Sequence, residues 1–299
     1  MVQKKLKNIK GLILAGGSGK RLSPITTLLN KHLINVYDKP MIYYPLSILM
    51  LSGLKEIGIV CNQDDIVDFL RLLGNGERLG IKITYLVQDK PDGICGGIKV
   101  AKNFIGNDSV FLILGDNFFF GSTLINRIIN EIQTLKYCTL FSYPVNNFKN
   151  YGIIEYDKKK RIKKVHEKPN RKFSGLGVTG MYLFDSTIIN KVNKINPSKR
   201  NELEITDLIN QYVNNSVKEV KLTRGVTWFD TGTFDDLLNA SNFIQIIEKK
   251  QGQKIGCVEE SAYKAKFLNM KKFKNLIRNT TNIDLKNYLK KIMSNQFDW

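Results

Sequence analysis

The sequence is poor in cysteine and contains no long hydrophobic run. Its four cysteines, Cys61, Cys95, Cys138 and Cys257, are far apart and form no Cys-x-x-Cys pair, which argues against a structural zinc site or a disulfide framework. No stretch approaches the roughly 20 apolar residues that a membrane-spanning helix needs. The apolar run after the basic start of the chain is too short for a signal peptide. We therefore expect a cytoplasmic protein with reduced thiols and no membrane partner.

Acidic residues are scarce relative to basic ones. The 299 residues include 46 lysines and arginines against 27 aspartates and glutamates, which gives a formal net charge of +19. Such an excess is compatible with nucleic-acid binding, with a polyanionic small molecule or with a lysine-rich solvated surface. The basic cluster at 158–168 contains no aromatic residue of the kind that stacks on single-stranded nucleic acid. We therefore expect an anionic small-molecule ligand and no nucleic-acid partner.

Alternating strands and helices are predicted in the first half of the chain. Apolar runs at 10–16 and 56–61 are predicted to be strands, the stretch 80–88 alternates as a strand does, and 109–121 contains a strand with no polar interruption before Gly115. Helical patterns lie between them, at 40–54, 63–74 and 96–106. This alternation predicts an α/β, Rossmann-like fold with a mostly parallel central sheet flanked by helices. Such sheets bind ligands beyond the carboxyl ends of their strands.

The second half is more mixed and ends in helical patterns. Strand-like stretches lie at 151–157, 161–169, 177–185 and within 219–233, and a helical pattern lies at 202–215. From 234 onward the pattern is helical and amphipathic and runs into a lysine-rich end. We predict two parts, an α/β core formed by residues 1–233 and a C-terminal helical segment, 234–299, packed on that core.

A glycine-rich segment, LILAGGSGKRLSP (12–24), includes the end of the first predicted strand. It is not a Walker A loop, which requires glycine where this chain has Leu14 and serine or threonine where it has Arg21. The dinucleotide fingerprint fails because Leu22 stands in place of its third glycine. A glycine turn still lets backbone N–H groups approach an anion, and a guanidinium fits phosphate oxygens. We interpret the loop as a phosphate-binding turn, with an ordinary strand-to-helix turn as the alternative.

Nine ordered segments resemble the sugar-1-phosphate nucleotidyltransferase family. In chain order they are LILAGGSGKRLSP, NKHLINVYDKPMIYYPL, VQDKPDGI, LGDNFFFG, YGIIEYD, EKP, VTGMYLFD, ELEITD and WFDTGT. They lie between about residue 10 and about residue 265, and together they are more specific than any one glycine motif. Within the family, they are most similar to the bacterial glucose-1-phosphate thymidylyltransferases.

The resemblance implies a reaction between two polyanions. An oxygen of a sugar 1-phosphate would attack the α-phosphate of a nucleoside triphosphate and release pyrophosphate. The implied substrates are dTTP, or UTP, and glucose 1-phosphate; the implied cofactor is Mg²⁺, and the implied assembly is a homotetramer. A phosphate monoester is already an anionic nucleophile, so catalysis needs mainly positioning and charge neutralisation. A chain with only two histidines is compatible with that chemistry.

Two aspartates after apolar stretches are the predicted metal ligands. Asp116 lies in LGDN and Asp230 in WFDTG. A carboxylate in such a place is costly unless it is solvated, paired or bound to a cation. Mg²⁺ is usually held by one or two carboxylates together with substrate phosphates and water. Either residue alone could equally be a turn or helix-capping aspartate, and the resemblance assigns both to Mg²⁺.

The resemblance also implies a set of catalytic and phosphate-binding cations. Arg21 would stabilise the pyrophosphate leaving group as charge develops on it. Lys31 would contact the region of the α-phosphate, and Lys168, in EKP, would contact the sugar phosphate. Arg200, in SKRNELEITD, matches an arginine of the family that holds the same phosphate.

Further positions match the base and sugar sites of the family. Gln88 and Gly93 match the base-reading positions, and a glutamine amide offers both a donor and an acceptor to the O4/N3–H edge that thymine and uracil share. Gly152, Glu167 and Tyr182 match sugar-side positions, where Glu167 would accept hydrogen bonds from sugar hydroxyls. The other substrate contacts implied are Leu14, Gly16, Gly17, Ser18, Gly19, Lys20, Asp116 and Val178.

The chain departs from the family's pattern in three places. Lys20 stands where threonine is usual, Asn35 stands where a proline is usual, and GICGG (93–97) replaces the common GLAQA. These departures bear on rate and base choice rather than on the class of reaction. Two alternative hypotheses are an enzyme that uses CTP and another sugar phosphate, and a non-catalytic relative that binds a sugar nucleotide.

Overall fold

A computed structural model describes residues 8–17, 19–214 and 217–294 of the chain. The strands are β1 (Ile9–Leu14), β2 (Asn35–Val36), β3 (Lys39–Pro40), β4 (Glu56–Cys61), β5 (Lys82–Val87), β6 (Ser109–Leu114), β7 (Asn117–Phe120), β8 (Cys138–Pro144), β9 (Gly152–Tyr156), β10 (Ile162–Glu167), β11 (Leu176–Phe184), β12 (Val217–Lys221) and β13 (Thr227–Asp230). The helices are α1 (Tyr43–Leu51), α2 (Ile66–Leu73), α3 (Ile94–Val100), α4 (Lys102–Ile105), α5 (Leu124–Thr134), α6 (Ile188–Val192), α7 (Ile205–Val213), α8 (Phe234–Gln251), α9 (Val258–Lys264), α10 (Met270–Asn279) and α11 (Ile283–Met293).

A nine-stranded sheet forms the centre of the protein. Its strands follow the order β10-β9-β11-β6-β1-β4-β5, and β8 and β12 extend it beside β11. The strands β6, β1, β4 and β5 run parallel to one another, and β11 pairs with the other edge of β6 in the antiparallel direction. The prediction of an α/β sheet flanked by helices is confirmed. The parallel strands β1, β4, β5 and β6 are those that the β–α alternation of the first half predicted, and β12 adds a further parallel pair with β8.

Helices cover both faces of the sheet. In β1, Leu12 packs into one hydrophobic cluster and its neighbour Ile13 into another, because successive side chains of a strand point to opposite faces. The cluster around Leu12 includes residues of α3, α6 and α7. The cluster around Ile13 includes residues of α1 and of the C-terminal helices α9, α10 and α11. This two-sided burial explains why the central residues of β1, β4 and β6 are apolar on both faces of the sheet.

The strand predicted within 109–121 is β6, and a second strand, β7, follows it in the same stretch. The chain turns at Gly115 and Asp116, between β6 and β7. β7 leaves the main sheet and pairs with β13 as a two-stranded antiparallel ribbon, in which Asp230 lies opposite Asn117. This ribbon brings the segments of Asp116 and Asp230 together, although they are far apart in sequence.

The segment that follows residue 233 consists of α8 to α11 and packs on the α/β core. Phe273 of α10 is fully buried, and its ring stacks on Tyr263 of α9 with centroids 4.2 Å apart. The division of the chain at 233 stays a prediction, and residues 295–299 of the predicted segment lie outside the described residues. Within 8–17, 19–214 and 217–294, no helix combines the length and the apolar character needed to cross a bilayer.

Candidate active site

A cleft of about 570 Å³ opens at the carboxyl ends of β1, β5 and β6. This is the edge at which a parallel sheet is expected to bind a ligand. The predicted site residues that line it are Leu14, Gly16, Gly17, Gly19, Lys20, Arg21, Lys31, Gln88, Gly93, Asp116, Glu167, Lys168 and Arg200. The structure therefore brings together residues from most of the segments that the sequence analysis selected.

The glycine loop places two cations at the cleft. Gly19 has a left-handed φ of 58°, and a Cβ atom there would lie 2.7 Å from Thr26 Cγ2, so this turn requires glycine. The turn leads into a short 3-10 helix at Lys20–Leu22. Leu22 is fully buried and anchors the helix, while Lys20 and Arg21 line the cleft. Ser18, a predicted substrate contact, lies outside the described residues.

Asp116 forms an ion pair at the floor of the cleft. Its Oδ2 accepts a hydrogen bond from Lys31 Nζ at 2.6 Å, and its Oδ1 accepts one from Asn117 Nδ2 at 2.8 Å. Burial alone would raise the pKa of Asp116, but the Lys31 ammonium, assisted by His32 and Asn117, holds it well below its ordinary value. Asp116 is therefore a carboxylate at every physiological pH, and Lys31 is a buried cation fixed in direction.

Asp230 lies beside Asp116 because the β7–β13 ribbon pairs their segments. Thr231 Oγ1 donates to the backbone oxygen of Asp116 at 2.7 Å, which joins the two strand ends. Burial raises the pKa of Asp230 to about 6, and the negative charges of Asp236 and Asp116 add to the rise. A hydrogen bond from the Tyr151 hydroxyl acts in the opposite direction. Negative charge is thus concentrated at this corner of the cleft.

These two carboxylates suit a Mg²⁺ ion. Carboxylate oxygens are the ligands that Mg²⁺ prefers, and it usually takes only one or two from the protein. Within the described part of the chain, no cluster of three or more histidine, cysteine, aspartate or glutamate side chains has the arrangement of a closed metal site. The donor set therefore fits an open magnesium site in which substrate phosphates and water complete the coordination.

The opposite wall of the cleft carries Glu167, Lys168 and Arg200. Arg200 Nη2 lies 3.2 Å from Glu167 Oε1, 3.1 Å from Glu202 Oε2 and 2.9 Å from Glu204 Oε2. Burial, and then the charge of Glu204, raises the pKa of Glu167, while Lys168 and Arg200 oppose the rise. A phosphate that binds Arg200 would have to compete with these carboxylates. Lys168 is paired only loosely, at 3.8 Å from Glu167.

The base-reading positions lie together at the end of β5. Gln88 follows β5, lines the cleft and is only 8% exposed. Gly93 precedes α3, and a Cβ atom there would lie 2.8 Å from the backbone oxygen of Leu203. Pro91 and Ile94 also line the cleft and add apolar surface to it. Apolar surface together with an amide is suited to a flat heterocyclic base.

Residues 10–246 match the family model for nucleotidyl transferases. The chain belongs to this family. It is 40% identical over 286 residues to the glucose-1-phosphate thymidylyltransferase of Neisseria meningitidis serogroup A, a match that covers 95% of this chain and 99% of the relative. It is 42% identical over 257 residues to the enzyme of the same name from Mycobacterium tuberculosis H37Rv, covering 86% of this chain and 89% of the relative. The predicted family is confirmed.

Solved structures agree with this fold. A Bacillus anthracis protein described as a glucose-1-phosphate thymidylyltransferase, in complex with sucrose, superposes with a TM-score of 0.71 at 34% identity and covers 79% of this chain and 94% of its own. A UDP-glucose pyrophosphorylase complexed with UDP-glucose gives a TM-score of 0.69 at 23% identity, covering 81% and 98%. The second likeness supports the fold alone.

Within the described part of the chain, four predicted site residues of this nucleotidyl transferase are not among the residues that line the cleft: Asp230, Gly152, Val178 and Tyr182. Asp230 lies at the end of β13, two residues before Gly232, which does line it. Val178 and Tyr182 of β11 are 6% and 3% exposed, and both pack in the hydrophobic core. The structure therefore presents neither side chain at the cleft surface. Gly152 lies opposite Glu167 in the pairing of β9 with β10, and a Cβ atom there would lie 3.8 Å from Glu167 Oε2. These assignments stay predictions drawn from the resemblance.

Several cleft residues were missed by the sequence analysis. His32 lines the cleft, its Nδ1 lies 2.9 Å from Asn30 Oδ1, and burial lowers its pKa to about 4, so that it is neutral at pH 7. Tyr151 contacts Asp230 through its hydroxyl. His32 directly follows Lys31 in the sequence, and Tyr151 directly precedes Gly152. This adjacency to a predicted site residue is the sequence feature that could have identified them. The other additions are Pro91, Ile94, Leu114, Glu202, Glu204, Ile205 and Gly232.

Proposed function

We propose that the protein transfers the thymidylyl group of dTTP to glucose 1-phosphate, giving dTDP-glucose and pyrophosphate, with Mg²⁺ as cofactor. The observation that carries the proposal is the adjacency of Asp116 and Asp230 beside the cationic glycine loop. The named relatives, about 40% identical over nearly the full chain, support the same substrates. UTP is the second candidate nucleotide, because it has the same base edge as dTTP.

The reaction joins an oxygen of glucose 1-phosphate to the α-phosphorus and breaks the bond from that phosphorus to the bridging oxygen of pyrophosphate. Arg21 and Lys20 would bind the departing phosphates, and backbone N–H groups of the loop would approach them closely. Lys31, whose ammonium is fixed by Asp116, would stabilise the charge that develops at the α-phosphate. No protein nucleophile is required, because the phosphate monoester supplies one.

Mg²⁺ held by Asp116 and Asp230 would supply the charge neutralisation that lets two polyanions approach each other. The chain's own residues set the geometry of these ligands. Tyr151 orients Asp230, and Asn117 and Lys31 orient Asp116. Lys168 would bind the sugar phosphate, and Glu167 would accept hydrogen bonds from sugar hydroxyls.

We extend the proposal to a cytoplasmic homotetramer, which rests on the resemblance to the family alone. Two other hypotheses make different predictions. A non-catalytic relative would bind dTDP-glucose without releasing pyrophosphate from dTTP. A nucleic-acid-binding protein would retard duplex DNA with a steep dependence on salt.

Pyrophosphate release tests the proposed reaction. The purified protein is incubated with glucose 1-phosphate, Mg²⁺ and each of dTTP, UTP and CTP, and we expect release with dTTP. Asp116→Asn and Asp230→Asn should each lower kcat at least about a hundredfold, because each removes a charge that would hold the cation. Thermal unfolding should show that both variants remain folded.

The matched control is Asp64→Asn, an exposed aspartate, which should leave kcat unchanged. Unchanged kcat in both cleft variants would remove the metal assignment. Absence of pyrophosphate release with all three nucleotides would refute the proposed activity.

A further inference from the structure

A neighbouring carboxylate fixes the orientation of the Gln88 amide. Gln88 Nε2 donates to Asp92 Oδ1 at 2.7 Å and lies 3.4 Å from the backbone oxygen of Gly93. A carboxylate accepts hydrogen bonds and donates none, so the amide nitrogen and not the amide oxygen must face Asp92. Both hydrogens of Nε2 are therefore directed at acceptors of the protein itself.

The amide oxygen is left on the side of the glycine loop. Gln88 Oε1 would lie 3.3 Å from a Cβ atom at Gly16, which lines the cleft. Among the residues that the structure describes, none donates a hydrogen bond to Oε1. The amide thus offers the cleft an acceptor that no residue of the described ranges pairs.

Gly96 creates the space that Asp92 occupies. A Cβ atom at position 96 would overlap the Asp92 carboxylate, and even the more distant Oδ2 would be only 2.7 Å away. The backbone of Asp92 is also held, because its oxygen accepts from Leu203 N at 2.7 Å and its nitrogen donates to Lys90 O at 2.8 Å. Any side chain at 96 would therefore displace the carboxylate and leave the backbone in place. Position 96 is one of those at which GICGG departs from the family's common pattern.

We infer that Asp92, accommodated by Gly96, is a positioning residue that makes Gln88 a hydrogen-bond acceptor and so selects pyrimidines that carry a proton on N3. The inference rests on the proposed function, in which the base lies against Gln88. Thymine and uracil carry an N3–H that Oε1 accepts, whereas N3 of cytosine is itself an acceptor and is repelled. dTTP and UTP are thus favoured over CTP, and the choice between dTTP and UTP is made elsewhere.

Three variants separate this role from a merely structural one. Asp92→Ala removes the acceptor for Nε2, and Gly96→Ala displaces the carboxylate while keeping every polar side chain. Each should lower the ratio of kcat/KM for dTTP to that for CTP at least about tenfold, because the amide is then free to turn. Asp92→Asn offers a donor as well as an acceptor, so it can pair with either orientation of the amide, and its ratio should lie between those of the wild type and Asp92→Ala. The dTTP-to-UTP ratio should not change in any variant, since both bases present the same edge.

Two controls make the result specific. Asp89→Asn, an exposed carboxylate in the same loop, should keep all wild-type ratios. The double variant with alanine at 92 and 96 should lose no more discrimination than either single variant, because both act through one contact. If thermal denaturation shows that Asp92→Ala is unfolded, the dTTP-to-CTP ratio of Gly96→Ala tests the role of Asp92 instead.

The outcomes distinguish this inference from the proposed function. An active wild type whose Asp92→Ala and Gly96→Ala variants keep the dTTP-to-CTP ratio would overturn the role of Asp92. A wild type that releases no pyrophosphate with any nucleotide would refute the proposed function instead. In that case calorimetric affinities for dTMP and CMP decide the inference: a lower dTMP-to-CMP preference in the variants supports it, and an unchanged preference overturns it.

Discussion

Gly115 is a residue at which the site tolerates no added atom. A Cβ atom there would lie 2.5 Å from Cδ2 of His32 and 2.9 Å from the backbone oxygen of Leu14. His32 cannot retreat easily, because it is buried and bonded to Asn30 through both its backbone nitrogen and its ring. An alanine would therefore push apart the two segments that carry Lys31 and Asp116.

We expect Gly115→Ala to reduce the free energy of unfolding by about 1–3 kcal/mol through overpacking. It should lower kcat/KM for dTTP about a hundredfold, since a small displacement of a catalytic group has a large effect on rate. Urea unfolding and pyrophosphate release measure the two effects. Gly175→Ala is the matched control, because no atom lies within 4 Å of a Cβ at 175. Equal behaviour of the two variants would contradict this account of Gly115.

The residues found from the sequence were those whose type and motif suffice to identify them. Arg21, Lys31 and Asp116 belong to short segments, and all three line the cleft. The contacts that orient the site's side chains could not be predicted from the sequence, because they join segments that are distant along the chain. The Tyr151–Asp230 hydrogen bond and the Asp92–Gln88 contact, which needs an absent side chain at 96, are of this kind.

At the scale of elements, the β7–β13 ribbon holds the segments of Asp116 and Asp230, the proposed metal ligands. Asn117 of β7 is 4% exposed and connects three strands through its side chain. Its Oδ1 accepts from Trp228 Nε1 of β13 at 2.6 Å and from Gly180 N of β11 at 3.1 Å. Its Nδ2 donates to Asp116 at 2.8 Å. The Asn117 amide therefore connects the ribbon to the main sheet and to the carboxylate of Asp116.

Asn117→Ala should reduce the free energy of unfolding by about 2–4 kcal/mol, because it leaves the buried Gly180 N–H and the Trp228 N–H without their acceptor. Activity should fall as well, since Asp116 loses a donor that orients it. Chemical denaturation and turnover of dTTP measure these losses. Asn126→Ala, at an exposed position of α5, is the control and should change stability by less than about 0.5 kcal/mol. A similarly small loss in Asn117→Ala would show that the ribbon does not depend on this amide.

The local hydrophobic pattern predicted where the strands lie better than it predicted which strands pair. The run at 56–61 coincides with β4, because a strand buried on both faces is apolar throughout. The segment 122–150, which contains α5 and β8, was not assigned. The pairing of β7 with β13 could not be predicted, because it depends on contacts between segments more than 100 residues apart.

At the scale of the whole molecule, the C-terminal segment is attached to the core by charge as well as by apolar packing. Lys39 of β3 donates to Glu248 Oε1 of α8 at 3.1 Å, and Lys254 lies 2.5 Å from Asp38 Oδ2. Glu248 also accepts from the backbone nitrogen of Ile255 at 2.8 Å. In a chain with a net charge of +19, these carboxylates offset repulsion between lysines that meet at this junction.

This junction makes part of the stability dependent on pH. Burial would raise the pKa of Asp38, but Lys39 and Lys254 outweigh it and hold that pKa below its ordinary value. A carboxyl group whose pKa is lower in the folded state stabilises the fold above its unfolded pKa of about 3.9, and this contribution is lost as the pH falls through the folded value. Asp38→Asn should therefore cost about 1 kcal/mol at pH 6.

The difference in free energy of unfolding between wild type and Asp38→Asn should shrink steadily below about pH 4, because both proteins then carry a neutral group at this position. Urea unfolding at a series of pH values measures it. Glu56→Gln, at an exposed position of β4, should show no comparable pH-dependent difference. A difference for Asp38→Asn that stays constant from pH 6 to pH 3 would mean that packing, and not the charge of Asp38, holds the C-terminal segment at this junction.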